Sequence, residues 1–328
     1  MASRFLIVGG AGFIGSHLTD RLLGEPGTER VTLYDNFSSG REWHYAAWRD
    51  DPRLDVIRAD VHEQERLNAT AAGHEVVIHL ASNPDIARAV REPSIDFHEG
   101  TELTHAVVEA ARISGATTLL YPSGSGVYGD LGELEVEEDH GPLVPVSTYG
   151  ASKMAGEALI AAYCHMFGLV GRAFRFGNVV GARQTHGVGL DFLRRLIEDP
   201  TRLRILGDGK QSKSYIHVSD VVEAVMTALA RETRPFQVYN VATGDYTTVR
   251  EIADMAVEVL GLRPGSVTYE FTGGDRGWKG DVPVVRLRTD RIRALGWSNR
   301  LRSSEALRAS LEEMRATLPG GAPEGTGA

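Results

Sequence analysis

Near the start of the chain a buried-strand pattern runs straight into glycines at three-residue spacing, and nothing else in the sequence constrains the fold as much. Arg4–Val8 is a short apolar run suited to a parallel strand. It leads into Gly9-Gly10-Ala11-Gly12-Phe13-Ile14-Gly15. Gly9 permits the tight turn, Gly12 lets a pyrophosphate approach the backbone, and Gly15 lets the following helix pack on the strand. The unpaired amides at that helix's N-terminus then face the phosphates. A second strand, residues 31–34, ends at Asp35, twenty residues after Gly15. A carboxylate there accepts hydrogen bonds from the adenosine ribose and repels a 2′-phosphate, which favours NAD over NADP. A glycine-rich turn alone is weak evidence, whereas strand, glycines, helix, strand and acid in register are strong.

Strand patterns recur at Leu54–Arg58 and at 76–80, 117–121 and 170–174, with helical periodicity at 97–113 and 148–167. This alternation predicts an α/β fold, a doubly wound parallel sheet of the Rossmann type with helices on both faces. Ligands in such sheets bind beyond the carboxyl ends of the strands. Asp60-Val61, Leu80-Ala81-Ser82-Asn83 and Pro122-Ser123-Gly124-Ser125 fall there. From about Gly181 the pattern turns irregular, with short strands at 204–206 and 238–240 and helices at 219–230 and 248–260. The reading is an NAD-binding domain over 1–180 and a smaller, interleaved substrate lobe over 181–318. Residues 319–328, rich in Gly and Pro, are expected to be disordered.

Composition narrows the function. A chain of 328 residues with 42% hydrophobic content can bury a large core. Its net charge of −9, with no basic stripe interleaved with aromatics, argues against nucleic acid. Cys164 is the single cysteine, so neither an internal disulfide nor a zinc cluster forms, and its apolar neighbours suggest a buried structural thiol. Without an apolar run of spanning length or a signal peptide, the expectation is a soluble cytoplasmic protein. No set of His, Asp and Glu has metal-ligand spacing. His79, ending a strand, reads as satisfying local backbone, and His186 falls in a loop on the substrate side with its role open.

Tyr149 and Lys153 stand four residues apart at the start of a helical stretch, so their side chains share one face. A nearby ammonium favours the phenolate, which makes the tyrosine a usable base. Such a pair in isolation is usually plain helix surface; the glycine fingerprint is what gives it weight.

Together these residues resemble the extended short-chain dehydrogenase/reductase family, specifically its NAD-dependent nucleotide-sugar epimerases and dehydratases. The resemblance runs from Phe5 to Trp297. It rests on the glycine motif, Asp35-Asn36, Asp60, His79-Leu80-Ala81, Val127-Tyr128-Gly129, Tyr149 with Lys153, and Arg175-Phe176-Gly177-Asn178-Val179-Val180-Gly181. Gly207-Asp208-Gly209-Lys210-Gln211, His217-Val218-Ser219-Asp220 and Leu295-Gly296-Trp297 add to it. The archaeal-type UDP-glucose 4-epimerases are the nearest subgroup, through His186-Gly187-Val188, Phe192, Lys213-Ser214-Tyr215 and the segment from Asp275 to Asp281.

The resemblance implies that Tyr149 removes the proton from a sugar 4-hydroxyl while hydride passes from C4 to NAD. The 4-keto sugar then turns over and receives the same hydride on its other face. Lys153 would hold the nicotinamide ribose and depress the tyrosine pKa. Implied cofactor contacts are Gly9, Gly12, Phe13, Ile14, Gly15, Asp35, Asn36, Asp60, Val61, Leu80, Ala81, Ser82, Tyr149, Lys153 and Phe176. Implied substrate contacts are Ser123, Ser125, Tyr149, Asn178, Phe192, Lys213 and Arg276. The implied partner is a nucleotide sugar, a UDP-hexose first, and the implied assembly a homodimer built on the helices at 97–113 and 148–167.

Three departures matter. The family places Ser or Thr four residues before the Tyr of Val-Tyr-Gly, and here Gly124 stands there, leaving Ser123 as first stand-in and Ser125 as second. The family's Asn in the helix after the fourth strand is Gly100. Lys213 replaces the Arg that grips the diphosphate, keeping charge but losing the bidentate fork; Arg276 and Asn178 are the expected supporting contacts. A 4,6-dehydratase carries an Asp-Glu pair where this chain has Ser125-Gly126, so that reading falls behind. The same residues leave room for a UDP-uronic acid epimerase or decarboxylase, and for an impaired NAD and nucleotide-sugar binder.

Overall fold

The computed structural model describes residues 2–83 and 85–318, so the tail at 319–328 lies outside the described residues. Seven strands form the central sheet: β1 (Arg4–Val8), β2 (Arg30–Asp35), β3 (Leu54–Arg58), β4 (Val76–His79), β5 (Thr118–Gly124), β6 (Val170–Phe176) and β7 (Phe236–Val241). Their spatial order is β7-β6-β5-β4-β1-β2-β3, and every neighbouring pair is parallel. The order reverses between β1 and β4, which opens a crevice beyond their carboxyl ends.

Strand alternation builds two apolar layers. Phe5 and Ile7 of β1 face one side, with Leu18 and Leu22 of the Phe13–Leu23 helix and Val221 and Val225 of the Val218–Arg231 helix. Leu6 and Val8 face the other, with Val107 and Ala111 of the Leu103–Ser114 helix and Ile160 and Cys164 of the Thr148–Phe167 helix. Cys164 is a buried free thiol in that layer.

The chain beyond Gly181 builds a separate apolar cluster from Leu193, Leu196, Leu203, Ile252 and Leu311, then returns. Residues 238–240, expected as a strand of the second lobe, belong to β7, an edge of the central sheet. The strand expected at 204–206 lies at Arg202–Ile205. The helical stretch from Phe97 is not uniform: a π turn, Phe97–Glu102, precedes the α-helix Leu103–Ser114. Gly100 in that turn presses on the next helix, where a Cβ would lie 2.6 Å from Ser152 Oγ.

Candidate active site

A cleft of about 860 Å³ runs along the carboxyl ends of the strands. Its first arm is the glycine turn. Gly9 has φ +82°, and a Cβ there would lie 2.6 Å from the Ala81 amide nitrogen. Gly12 opens the Phe13–Leu23 helix without any side-chain cap, so the first amides of that helix are left for a ligand. Asp35 closes the turn from beneath: its carboxylate accepts from the Ala11 amide at 2.9 Å and the Phe37 amide at 2.7 Å. Burial raises its pKa against the pull of those two bonds. Burial also works against the Asp60 carboxylate, but bonds from the Asn36 side chain (2.9 Å) and the His62 amide outweigh it and hold its pKa below the ordinary value. Phe13, Ile14, Gly15, Val61, Leu80, Ala81 and Ser82 line the same arm.

The second element is the Thr148–Phe167 helix, started by Ser147, whose hydroxyl accepts from the Gly150 amide, and stopped at Gly168 in the left-handed region. Its first turns carry Tyr149 and Lys153 into the cleft floor. Lys153 Nζ donates to the Pro122 carbonyl at 2.9 Å and lies 5.5 Å from the centre of the Tyr149 ring. Burial pushes the lysine pKa down to about 8, against the opposing charges of Glu157 and Asp96. The tyrosine corrects an expectation. Its phenol is pushed up to about 12, by burial first and Asp96 second, with a hydrogen bond from Ser82 pulling the other way. In the chain by itself burial sets the direction of that shift.

Beside this pair, Ser123 is 5% exposed and its buried Oγ has no partner among the described residues. An unpaired buried hydroxyl costs about 1–3 kcal/mol, so this one reads as reserved for a ligand. Gly124 is extended, at φ −157° and ψ 161°, and a Cβ there would find nothing within 4 Å. Ser125 begins the short helical turn Ser125–Tyr128 and also lines the cleft.

At the far end Phe176, Asn178 and Lys213 line the cleft as expected. Lys213 Nζ is already paired with Asp281 at 2.6 Å. Two expected substrate contacts lie elsewhere. Phe192 is buried with Leu193 and Leu196, because the apolar stripe of the Val188–Glu198 helix faces the second core. Arg276 does not line the cleft; its guanidinium holds Asp130 at 2.6 Å and the Asp281 carbonyl at 2.7 Å. His79 bonds the Thr104 hydroxyl at 3.0 Å and stacks near Tyr121, rather than satisfying local backbone.

Sequence reasoning passed over Gln184, Trp278 and Asp281, all of which line the cleft with His186. The tryptophan and acid inside a glycine-bearing segment were the available signal. Among the described residues no group of three His, Cys, Asp or Glu could hold a metal, and no helix is long and apolar enough to cross a membrane.

The glycine cradle, the Asp35 carboxylate beneath it and the tyrosine–lysine pair define a dinucleotide-dependent enzyme. The chain belongs to the NAD-dependent epimerase/dehydratase family, whose model matches residues 5–242. NAD is its cofactor. A UDP-glucose 4-epimerase of Mycolicibacterium smegmatis is 31% identical over 321 residues, 95% of this chain and 98% of that protein. A dTDP-glucose 4,6-dehydratase of Streptomyces griseus is 30% identical, over 92% of this chain and 96% of that one. The crystal structure of a UDP-galactose 4-epimerase, 36% identical, superposes with a TM-score of 0.85 over 96% of this chain and 99% of the other.

Proposed function

We propose that the protein inverts C4 of a nucleoside-diphosphate hexose, with UDP-glucose and UDP-galactose as the favoured pair, through a transient 4-keto sugar. The observation that carries this reading is the unpaired Ser123 hydroxyl on the cleft floor with Tyr149 and Lys153. The residues that follow Gly124 are Ser125 and Gly126, so the carboxylates a dehydratase needs there are absent from the sequence.

Bound NAD supplies hydride acceptance and return, held by Gly12, the amides after it, Asp35 and Lys153. Tyr149 takes the proton at the sugar O4 and gives it back after the ring has turned over. Ser123 shares that oxygen's hydrogen bond and fixes it against the phenol. Lys213 and Asn178 bind the diphosphate, with Lys213 exchanging its Asp281 partner for a phosphate oxygen. The balance of charge across that exchange is small, one anion for another.

We further propose a cytoplasmic homodimer. Phe97, Ile113, Met166 and Phe167 are exposed large apolar side chains on the two helical stretches expected at the interface, which supports that assembly. Sedimentation at a single-chain mass would overturn it.

Conversion of UDP-galactose to UDP-glucose without added reductant tests the activity. No conversion across UDP-, dTDP- and GDP-hexoses, with NAD bound, would leave the second reading, a binder without turnover, which Gly124 motivates.

A further inference from the structure

Asp96 is 1% exposed, among the most deeply buried carboxylates of the chain. An aspartate at a helix start ordinarily caps its own helix through a side-chain bond to the second or third amide. Asp96 opens the π turn Phe97–Glu102 and makes no such bond. Its two oxygens are turned instead to other elements. Oδ2 accepts from the Thr148 hydroxyl at 2.6 Å, and Oδ1 accepts from the Asn83 side-chain nitrogen at 2.9 Å. Thr148 is the first residue of the helix that carries Tyr149 and Lys153, and Asn83 lines the cleft beyond β4.

We propose that Asp96 is a positioning residue, which clamps the first turn of the Tyr149 helix to the Asn83 segment and so fixes where the Tyr149 phenol stands on the cleft floor. The inference rests on the epimerase reading for its link to turnover, and on geometry alone for the clamp. Asp96 raises the pKa of Tyr149 by its charge and supports the charged form of Lys153 in the same way. Other groups also stand against the pair. Lys153 lies over the Tyr149 ring, and Tyr121 of β5 lies under the same ammonium. Behind Lys153 stand His79, ending β4, and Glu157, which is held by Arg175 of β6. Of these, Asp96 is the carboxylate that acts on both members of the pair.

Two variants separate charge from clamp. With the tyrosine rings carbon-13 labelled, the Tyr149 signal is the one lost in Tyr149→Phe, and its titration needs no turnover. Asp96→Asn should lower that midpoint by about one pH unit, since removing a neighbouring anion favours the phenolate. The acidic limb of the pH–rate profile should move down with it. Thr148→Val removes one bond and keeps the charge, so turnover should fall several-fold with the midpoint unmoved. An Asp96→Asn midpoint that stays or rises overturns the electrostatic role. Full turnover in Thr148→Val overturns the clamp, and does so even if Asp96→Asn fails to fold. If the phenol midpoint falls but no nucleotide sugar is epimerised by the unmodified protein, the functional reading fails and the assignment of Asp96 stands.

Discussion

The Lys153 ammonium donates to the Pro122 carbonyl at 2.9 Å and sits 5.5 Å from the centre of the Tyr149 ring, so it stands beside the phenol without its own hydrogen bond being spent there. The lysine and the tyrosine ring share one buried floor. Tyr149→Phe removes the proton carrier and keeps the ring. Turnover should fall by about 10²–10⁴-fold, the usual weight of a positioned acid or base. NAD should remain bound, because the glycine cradle does not involve the phenol. Unchanged turnover would take Tyr149 out of the mechanism.

The stand-in for the missing hydroxyl is testable by moving it. Ser123→Ala should lower kcat roughly 10-fold or more, and Ser125→Ala less, because it is the Ser123 hydroxyl that is buried and unpaired. Gly124 has open space where a Cβ would go. Gly124→Ser should therefore fold normally, and in the Ser123→Ala background it should restore part of the lost rate. A larger loss in Ser125→Ala, or no rescue by the serine at 124, would refute the assignment.

The glycine turn predicts two different failures. In Gly9→Ala the new Cβ meets backbone at 2.6 Å in a left-handed conformation, so the fold itself should lose about 2 kcal/mol or more. In Gly12→Ala the nearest atom is a turn carbonyl at 3.2 Å, and the stability cost should be small. Yet the methyl would occupy the approach of a pyrophosphate, so NAD affinity should fall at least tenfold with the unfolding midpoint nearly kept. Calorimetric titration beside urea unfolding reads both; equal stability losses would count against the cradle reading.

The sheet was legible because its strands announce themselves: Phe5 to Val8 and Val76 to His79 are buried on both faces and read as continuous apolar runs. The helix bearing Tyr149 was legible end to end, since Ser147 and Gly168 are its caps. What stayed hidden depends on contacts distant in sequence. Residues 238–240 resemble any short strand, and only pairing with β6 makes them part of the central sheet. Phe192 looked like a ligand contact through resemblance, while its helix's apolar face had already committed it to the core. The resemblance makes Arg276 a supporting contact to the diphosphate, and nothing local warns that its guanidinium is held by Asp130, 146 residues away. Asp96 left no trace, because a helix-start aspartate whose carboxylate serves another helix has no local signature.

Buried Lys153 should also write itself into the pH dependence of stability. Its pKa falls from 10.5 to about 8 on folding, so between those values the unfolded chain binds a proton that the folded chain does not. Stability therefore rises with pH through that window, by on the order of 3 kcal/mol for the full shift. Tyr149 works in the opposite sense and later: raised from 10 to about 12, it contributes stability that is complete below 10 and lost above it. The Cys164 thiol, raised by burial from 9 to about 11, takes stability away from pH 9 upward, so the urea midpoint should climb from about pH 7.5 to about pH 9.5 and then turn over. Lys153→Met keeps an apolar stem without the ammonium, so the climb should vanish while the decline above pH 10 persists. Tyr149→Phe should keep the climb and only soften the decline, because the buried phenols of Tyr34 and Tyr215 are also raised to about 12. A climb that survives in Lys153→Met would mean that the ammonium is not the buried group that titrates near pH 8, and that its place beneath Tyr149 is wetter than the packing around Pro122 and Tyr121 implies.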